Sequence, residues 1–180
     1  MQSYSTIIDF WFEELTPKQW FAKDDAFDEM CKDRFGKLLT AAAAGECYHW
    51  RSHTEGRLAE IIVLDQFSRN IYRNTPQSFA QDPMALALAQ ETVNLGLDQQ
   101  LSDEKKGFLY MPYMHSESRV IHKEAVKLFS QPGQESKLDY ELRHKEIIDQ
   151  YGRYPHRNKV LERVSTPLEL EFLQQPGSSF

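Results

Sequence analysis

Asp65 and Arg69 place opposite charges on an apolar helical face. Leu58, Ile61 and Ile62 precede them at helical spacing, and because each residue turns an α-helix by about 100°, all five side chains project on one side. A charge on such a face is costly to bury unless it is paired. Residues four apart on a helix are neighbours, so we expect the Asp65 carboxylate to pair with the Arg69 guanidinium.

The sequence leaves two explanations for this pair open. In the structural explanation, the buried ion pair locks one helix against another, as ion-pair networks do in many proteins. In the functional explanation, the charged side chains of this segment face a ligand. Arg73, one further turn along, extends the charged row if the helix continues that far.

A second group of chemically capable residues surrounds His115, which borders the predicted core. If the helix already includes His115, then His115, Arg119 and His122 stack on one side of it. If Ser116 is instead the N-cap, His115 lies just outside the helix and Glu117 lies in its first turn. A histidine in this position is either a hydrogen-bonded packing residue or an acid–base group.

The third group follows the end of a helix at Gly152, with Pro155 beginning the next one. His156 and Arg157 then lie in a first helical turn, where the helix dipole disfavours positive charge. They need a compensating anion. That anion is either a carboxylate of this chain, such as Glu117, or a phosphate or carboxylate ligand.

Helices must position these groups, because helix start and stop signals recur along the chain and β-strand alternation is nearly absent. Ser52 is expected to begin one helix through a capping box, and Asp82 to cap another before Pro83. Short loops between the helices favour antiparallel helical hairpins. We therefore predict an all-α fold of eight to nine helices.

The length of 180 residues is close to that of one domain. A single all-helical domain is predicted over residues 1–175, with a frayed C-terminal tail over 176–180. The net charge of −6 argues against a nucleic-acid partner, which would require an excess of lysine and arginine. Cys31 and Cys47 fit no CxxC pattern, which indicates reduced thiols.

Other functional classes are disfavoured by missing patterns. No apolar stretch approaches the length of about 20 residues that a membrane span needs, and the first residues lack the features of a signal peptide. We therefore expect a cytoplasmic protein without a membrane partner. The chain contains no GxGxxG, GxxxxGK[ST], HExxH or GxSxG motif. Because His115, Glu117 and His156 are too few and too generically spaced for a metal site, no metal and no cofactor are predicted.

Three ordered segments resemble the motifs of the bacterial domain-of-unknown-function family 924, namely LDQFSRNIYR (64–73), MPYMHSE (111–117) and YGRYPHRN (151–158). The N-terminal segments IIDFWFEE and PKQWFAKDDAFD are also similar to that family, so the likeness spans nearly the whole chain. The resemblance implies an all-helical fold similar to the right-handed superhelix of tetratricopeptide repeats. It implies no established activity.

The resemblance also implies a set of site residues. The acid–base candidates at motif positions are His115, Glu117 and His156. The candidate ligand-binding residues at motif positions are Asp65, Gln66, Arg69, Asn70, Arg73, Arg153, Arg157 and Asn158. This chain departs from the family pattern in having Ser68 in place of a proline, His122 in place of a glutamine and Glu162 in place of a glycine.

Two hypotheses of function follow. In the first, the three segments converge on one pocket that binds a small anionic molecule through arginines, with His115, His156 and Glu117 available for proton transfer. Whether such a pocket also catalyses a reaction is left open. In the second, a tetratricopeptide-like surface binds a peptide or protein and the polar cluster is a structural ion-pair network. The oligomeric state is not indicated by either hypothesis.

Overall fold

The computed structural model describes residues 2–179, which form nine helices and no β-strand. The predicted all-α class is therefore confirmed. In chain order the helices are α1 (Tyr4–Asp9, continuing as π-helix over Phe10–Glu14), α2 (Pro17–Trp20), α3 (Asp25–Ala43), α4 (Thr54–Ile62, then π-helix over Val63–Phe67, then Ser68–Ile71), α5 (Asp82–Asn94), α6 (Asp103–Met114), α7 (Arg119–Phe129), α8 (Glu135–Tyr151) and α9 (Pro167–Phe172). Short 3-10 turns lie at Tyr48–Ser52, Pro76–Phe79, Leu97–Gln100 and Pro155–Arg157.

Side-chain caps determine where several helices begin. The Asp24 carboxylate accepts hydrogen bonds from the backbone N–H groups of Ala26 at 2.9 Å and Phe27 at 3.2 Å, at the start of α3. At α9, the Thr166 hydroxyl accepts from the Glu169 backbone at 3.3 Å, and the Glu169 carboxylate accepts from the Thr166 backbone at 2.7 Å. Caps of this kind contribute about 1 kcal/mol each.

The predicted capping box at Ser52 is wrong. Ser52 lies at the end of a 3-10 turn, and its hydroxyl donates to the His49 carbonyl at 3.0 Å. The residue before the first turn of α4 is His53, which makes no capping hydrogen bond through its side chain. The hydroxyl that the sequence pattern assigned to the helix start therefore donates to a nearby carbonyl instead.

The fourth helix, α4, is the centre of the hydrophobic core. It contacts α1, α3, α5 and α6. Its apolar side chains Leu58, Ile61, Ile62, Leu64 and Phe67 are all 0% exposed. Burial of such a side chain contributes about 1.5–3 kcal/mol, so this helix has little freedom to move, and a polar group on it needs a partner within the protein.

A smaller apolar cluster follows α8. Ile147, Ile148 and Tyr154 are buried together, and the rings of Tyr151 and Phe172 pack with centroids 5.0 Å apart. Gly152 ends α8 with a φ of 72°, a left-handed conformation that glycine adopts without steric cost. The helix ends at Gly152, as predicted, and the next segment brings Arg157 to the end of α6.

Every helix within residues 2–179 is too short or too polar to cross a lipid bilayer. The tail predicted over 176–180 ends at Phe180, and the predicted domain begins at Met1; both residues lie outside the described part of the chain. The tetratricopeptide-like superhelix and the single-domain boundary stay predictions.

Candidate functional site

The candidate site is organised by a π-helical turn in the middle of α4. Val63–Phe67 departs from regular α-helical geometry and carries Asp65 and Gln66, both of them buried. Turns of this type are frequent at functional sites, because an extra residue in the turn redirects the side chains. Arg69 follows in the α-helical segment Ser68–Ile71.

The carboxylate of Asp65 is the most enclosed charge in this region, with 1% of the residue exposed. Its Oδ1 lies 2.7 Å from Nδ1 of His115 and 3.0 Å from Nη1 of Arg69, and its Oδ2 accepts from Nε2 of Gln66 at 2.5 Å. Burial by itself raises the pKa of Asp65, but the charges of Arg69 and His115 and the hydrogen bonds outweigh it and leave the pKa lowered. The predicted Asp65–Arg69 pair is confirmed, and Asp65 is ionised at neutral pH.

His115 lies at the C-terminal end of α6, where its backbone N–H donates to the Met111 carbonyl at 2.9 Å. Both sequence alternatives for the next helix are wrong, because Ser118 caps α7 through the Ile121 N–H at 3.5 Å. His115 is outside both helices, and 16% of its side chain is exposed. Its backbone is held by the Met111 carbonyl and by Arg157, and its ring contacts Asp65.

The proton distribution in the Asp65–His115 pair follows from the geometry. An ionised carboxylate can only accept a hydrogen bond, so Nδ1 of His115 carries the proton and donates the hydrogen bond to Asp65. In the neutral ring the lone pair is then on Nε2. Within residues 2–179, Nε2 makes no hydrogen bond. Burial and the charge of Arg69 lower the pKa of His115, with Asp65 opposing them, so the ring is neutral at pH 7.

Asp82, at the start of α5, was assigned a capping role from the sequence, and that assignment is wrong. Gln81 occupies the N-cap position without a capping hydrogen bond. The Asp82 carboxylate instead accepts from Nη1 of Arg69 at 2.8 Å, from Nη2 of Arg69 at 3.0 Å and from Nη1 of Arg157 at 3.3 Å. The sequence contained one signal for this role. Two arginines near one buried aspartate leave one positive charge unbalanced, so a second carboxylate is needed.

Arg157 extends from the 3-10 turn Pro155–Arg157 into the same cluster and is 6% exposed. Its Nη2 donates to the His115 carbonyl at 3.0 Å. Its guanidinium carbon lies 4.4 Å from the ring centroid of Phe79 and 4.6 Å from that of Tyr154. Burial and the nearby Arg69 lower the pKa of Arg157 despite Asp82. The two aromatic rings therefore pack on a guanidinium whose positive charge is only partly balanced by carboxylates.

The central cluster therefore comprises Asp65, Arg69, Asp82, His115 and Arg157. Two carboxylates balance two guanidiniums, and with a neutral imidazole the cluster has no net charge. Within the described part of the chain, no group of three or more His, Cys, Asp or Glu side chains is arranged to hold a metal ion. The chemistry available is proton transfer by an imidazole and hydrogen bonding by two arginines.

Two predicted site residues on α4 and after it belong to a different network. Asn70 donates to Oδ1 of Asp28 at 2.9 Å, and Arg73 forms two hydrogen bonds with the same carboxylate. The expected row of charges through Arg73 does not form, because the helix ends at Ile71. The Asp28 network joins α3 to α4 and does not contact the central cluster through these bonds.

The remaining predicted residues hold the C-terminal segment. Both oxygens of Glu117 accept from Arg163, at 2.6 and 2.9 Å, and one also accepts from the Tyr154 backbone at 2.7 Å. Asn158 accepts from Arg163 at 3.0 Å. Arg163 was not among the predicted site residues, although it directly follows Glu162, one of the positions at which this chain departs from the family pattern. Both oxygens of Glu117 are therefore occupied by partners from the C-terminal segment, and its acid–base role stays a prediction.

Arg153 and His156 lie on either side of Tyr154. Arg153 forms two hydrogen bonds with Glu169, at 2.7 and 2.8 Å, which attach the segment to α9. The His156 ring lies 5.5 Å from that of Tyr154, and burial followed by the charge of Arg157 lowers the pKa of His156 to about 4. His156 is neutral at pH 7 and close to the central cluster.

A second histidine–carboxylate pair lies between α7 and α8. His122 and Glu141 are both 0% exposed, with Nδ1 of His122 at 2.7 Å from Oε1 of Glu141. The other ring nitrogen of His122 lies 2.9 Å from the Ser116 carbonyl and 3.2 Å from the Tyr154 hydroxyl. Burial raises the pKa of Glu141, opposed by His122. Sequence reasoning noted His122 but not its partner.

Comparison with known proteins identifies relatives but no activity. No curated protein matches the sequence. The solved structure of a protein of unknown function from Agrobacterium tumefaciens is similar, with a TM-score of 0.90 and 38% sequence identity over 95% of this chain and 96% of that chain. The profile of the family described as "Bacterial protein of unknown function (DUF924)" matches residues 7–177. With nearly its whole length matched, the chain belongs to the DUF924 family of bacterial proteins.

Proposed function

We propose that this protein is an enzyme that acts on a small molecule with a carboxylate or phosphate group, with His115 as the general base. One observation carries the proposal. The buried Asp65 fixes His115 through Nδ1, while Nε2 makes no hydrogen bond within residues 2–179 and the side chain keeps 16% of its surface exposed. A ring held by one nitrogen presents the other to a substrate.

The protonation states suit this role. His115 is neutral at pH 7 because burial and Arg69 lower its pKa, so Nε2 is free to accept a proton. The ionised Asp65 then stabilises the imidazolium that forms, since it accepts the hydrogen bond from Nδ1 in both states. Gln66 occupies the second oxygen of Asp65 and keeps the carboxylate in one orientation.

The arginines support the choice of substrate class. Arg69 contacts the same Asp65 oxygen as His115, and Arg157 donates to the His115 carbonyl. Planar guanidinium groups match the spacing of carboxylate and phosphate oxygens. The three predicted segments therefore meet within hydrogen-bonding distance of one histidine, which favours one local site. The peptide-binding alternative rests on the superhelical arrangement and stays a prediction.

The experiment is an NMR screen with His115 as the reporter. The imidazole Cε1–H signals are assigned by comparison with His115→Gln, and small carboxylic acids and phosphate monoesters are added at millimolar concentration. We expect at least one compound to shift the His115 signal and leave that of the exposed His49 unchanged. Failure of the whole panel to move the His115 signal would contradict the proposal.

Catalysis needs a separate test. A compound that binds is incubated with the wild-type protein in deuterated water. The exchange of its protons for deuterium, or its conversion to a product, is then followed. His115→Gln is expected to lower the rate by about 10²–10⁴-fold, the usual contribution of a general base. His49→Gln, on the protein surface, serves as the matched control and is expected to keep the wild-type rate.

A further inference from the structure

Arg157 lacks a carboxylate of its own. Within residues 2–179, five arginines each form two hydrogen bonds with a carboxylate that no other arginine shares, namely Arg34, Arg51, Arg73, Arg153 and Arg163. Among the described residues, the one carboxylate that Arg157 contacts is that of Asp82, at 3.3 Å, and both oxygens of Asp82 already bind Arg69. The Nε of Arg157 is buried and has no hydrogen-bond partner in the described part of the chain. Arg157 is therefore a buried arginine whose donors are not all matched by acceptors.

Asp82 occupies the position between two guanidiniums that an external anion would take. Its two oxygens receive three N–H donors from Arg69 and Arg157. Two adjacent guanidiniums repel each other, so an anion between them is required in every state of the protein. A carboxylate or phosphate group of a ligand offers the same pair of oxygens to the same donors.

The segment that carries Asp82 is also the one that covers the arginines. Phe79, in the 3-10 turn before α5, lies over the guanidinium carbons of Arg157 at 4.4 Å and of Arg69 at 5.6 Å. Asn74, at the beginning of this connection, has a φ of 62°, a conformation that favours glycine and marks a tight bend after α4. The Asp82 carboxylate is 16% exposed, so it lies at the edge of the cluster rather than inside it.

We infer that the Asp82 carboxylate is an internal stand-in for the acidic group of the ligand, and that a carboxylate or phosphate takes its position between Arg69 and Arg157. The inference rests on the proposed function and adds the place and mode of anion binding. Asp82 competes with the ligand, so binding requires the Phe79–Asp82 segment to move away from the arginines. Selectivity for an acidic ligand follows, since a neutral group would leave Arg157 without a counter-charge and Arg69 with Asp65 alone.

The test uses Asp82→Asn and a matched control, Asp28→Asn. Asp28 binds Arg73 through both oxygens and is 13% exposed at the side chain, but it serves one arginine only. Binding of inorganic phosphate and of acetate is measured by calorimetry against chloride of equal ionic strength. Asp82→Asn is expected to bind at least one of the two anions at least about tenfold more tightly than the wild-type protein. Asp28→Asn is expected to keep the wild-type affinity.

Equal anion affinities for Asp82→Asn and wild type would overturn the inference, as would the same gain in Asp28→Asn. If Asp82→Asn fails to fold in chloride, its refolding in phosphate or acetate becomes the measurement, and a chain that stays unfolded in all three also counts against the inference. The proposed function is tested separately by the His115 signal of the wild-type protein. If a ligand shifts this signal but Asp82→Asn binds anions no more tightly than the wild-type protein, the proposed function stands and only the role of Asp82 is refuted.

Discussion

Two histidine–carboxylate pairs lie on either side of the connection between α6 and α7, and they differ in what remains free. In the His122–Glu141 pair, both residues are fully buried and both ring nitrogens have partners. In the Asp65–His115 pair, the carboxylate is equally buried, but one ring nitrogen makes no hydrogen bond within residues 2–179. Similar chemical groups thus engage both ring nitrogens in one pair and only one of them, among the described residues, in the other.

The largest effect is expected from breaking the buried pair. Glu141→Ala removes the carboxylate and leaves Nδ1 of His122 without a partner in a site that water does not reach. The free energy of unfolding is expected to fall by about 3–5 kcal/mol, measured by urea denaturation. The double variant His122→Leu/Glu141→Leu should recover part of this loss, because no polar group is left unpaired. A loss below about 1 kcal/mol for Glu141→Ala would show that the pair is not structural.

Acid should weaken the region of the buried pair before it weakens α4. Burial lowers the pKa of His144 to about 3 and that of His156 to about 4, whereas the pKa of a histidine in an unfolded chain is near 6.5. Below pH 6.5 the unfolded chain therefore binds more protons than the folded one, and stability falls with falling pH, by about 1.4 kcal/mol per pH unit for His144.

Hydrogen exchange at pH 7 and pH 5 locates this loss. Amides of α8 are expected to lose protection at pH 5 to a greater extent than those of α4, because His144 belongs to α8 and packs on Tyr154. An equal loss of protection in both helices would mean that protonation of the histidines destabilises the whole fold. Acid would then not distinguish the two histidine–carboxylate pairs.

A smaller effect is expected from removing the histidine of the open pair. His115→Ala leaves Asp65 with Arg69 and Gln66 as partners, so the carboxylate remains compensated. We expect a loss of about 1.5 kcal/mol in the free energy of unfolding, the value of one hydrogen bond to a charged group. Urea denaturation beside Glu141→Ala provides the comparison, and an equal or larger loss for His115→Ala would place both pairs in the structural class.

The smallest effect concerns the pKa of His115 itself. Arg69→Met removes the positive charge that, after burial, contributes most to lowering this pKa. The pKa is expected to rise, because a positive charge beside the ring disfavours its protonated form. NMR titration of the His115 signal gives the value, with Arg73→Met as the control because Arg73 pairs with Asp28. No rise, or a fall, would contradict the electrostatic account of the open pair.

The sequence was sufficient for features that depend on neighbours along the chain. The apolar face of α4, the Asp65–Arg69 pair and the helix end at Gly152 all follow from the local sequence, because helical geometry is set by consecutive residues. The convergence of Arg157 on His115, across 42 residues, was reached only through motif resemblance. Long-range contacts of this kind depend on how helices pack, which periodicity does not encode.

Asp82 and Glu141 show what local reasoning misses. Asp82 stands before a proline at a helix start, where a capping role is the usual explanation, and its partners are 13 and 75 residues away. Glu141 lies on a helix rich in charged residues, and its pairing with His122 depends on the packing of α7 against α8. Both carboxylates look ordinary in sequence because their burial comes from tertiary structure alone.

The π-helical turn at Val63–Phe67 makes the site sensitive to chain length. A π turn behaves as an α-helix with one additional residue, so deleting a single residue there would restore a regular helix. The π turn takes up its extra residue locally, so the segment that carries Arg69 would keep its orientation, whereas Asp65 and Gln66 inside the turn would be redirected. A one-residue deletion in this turn would therefore move the Asp65 carboxylate away from Arg69 and His115 although the helix itself remained intact.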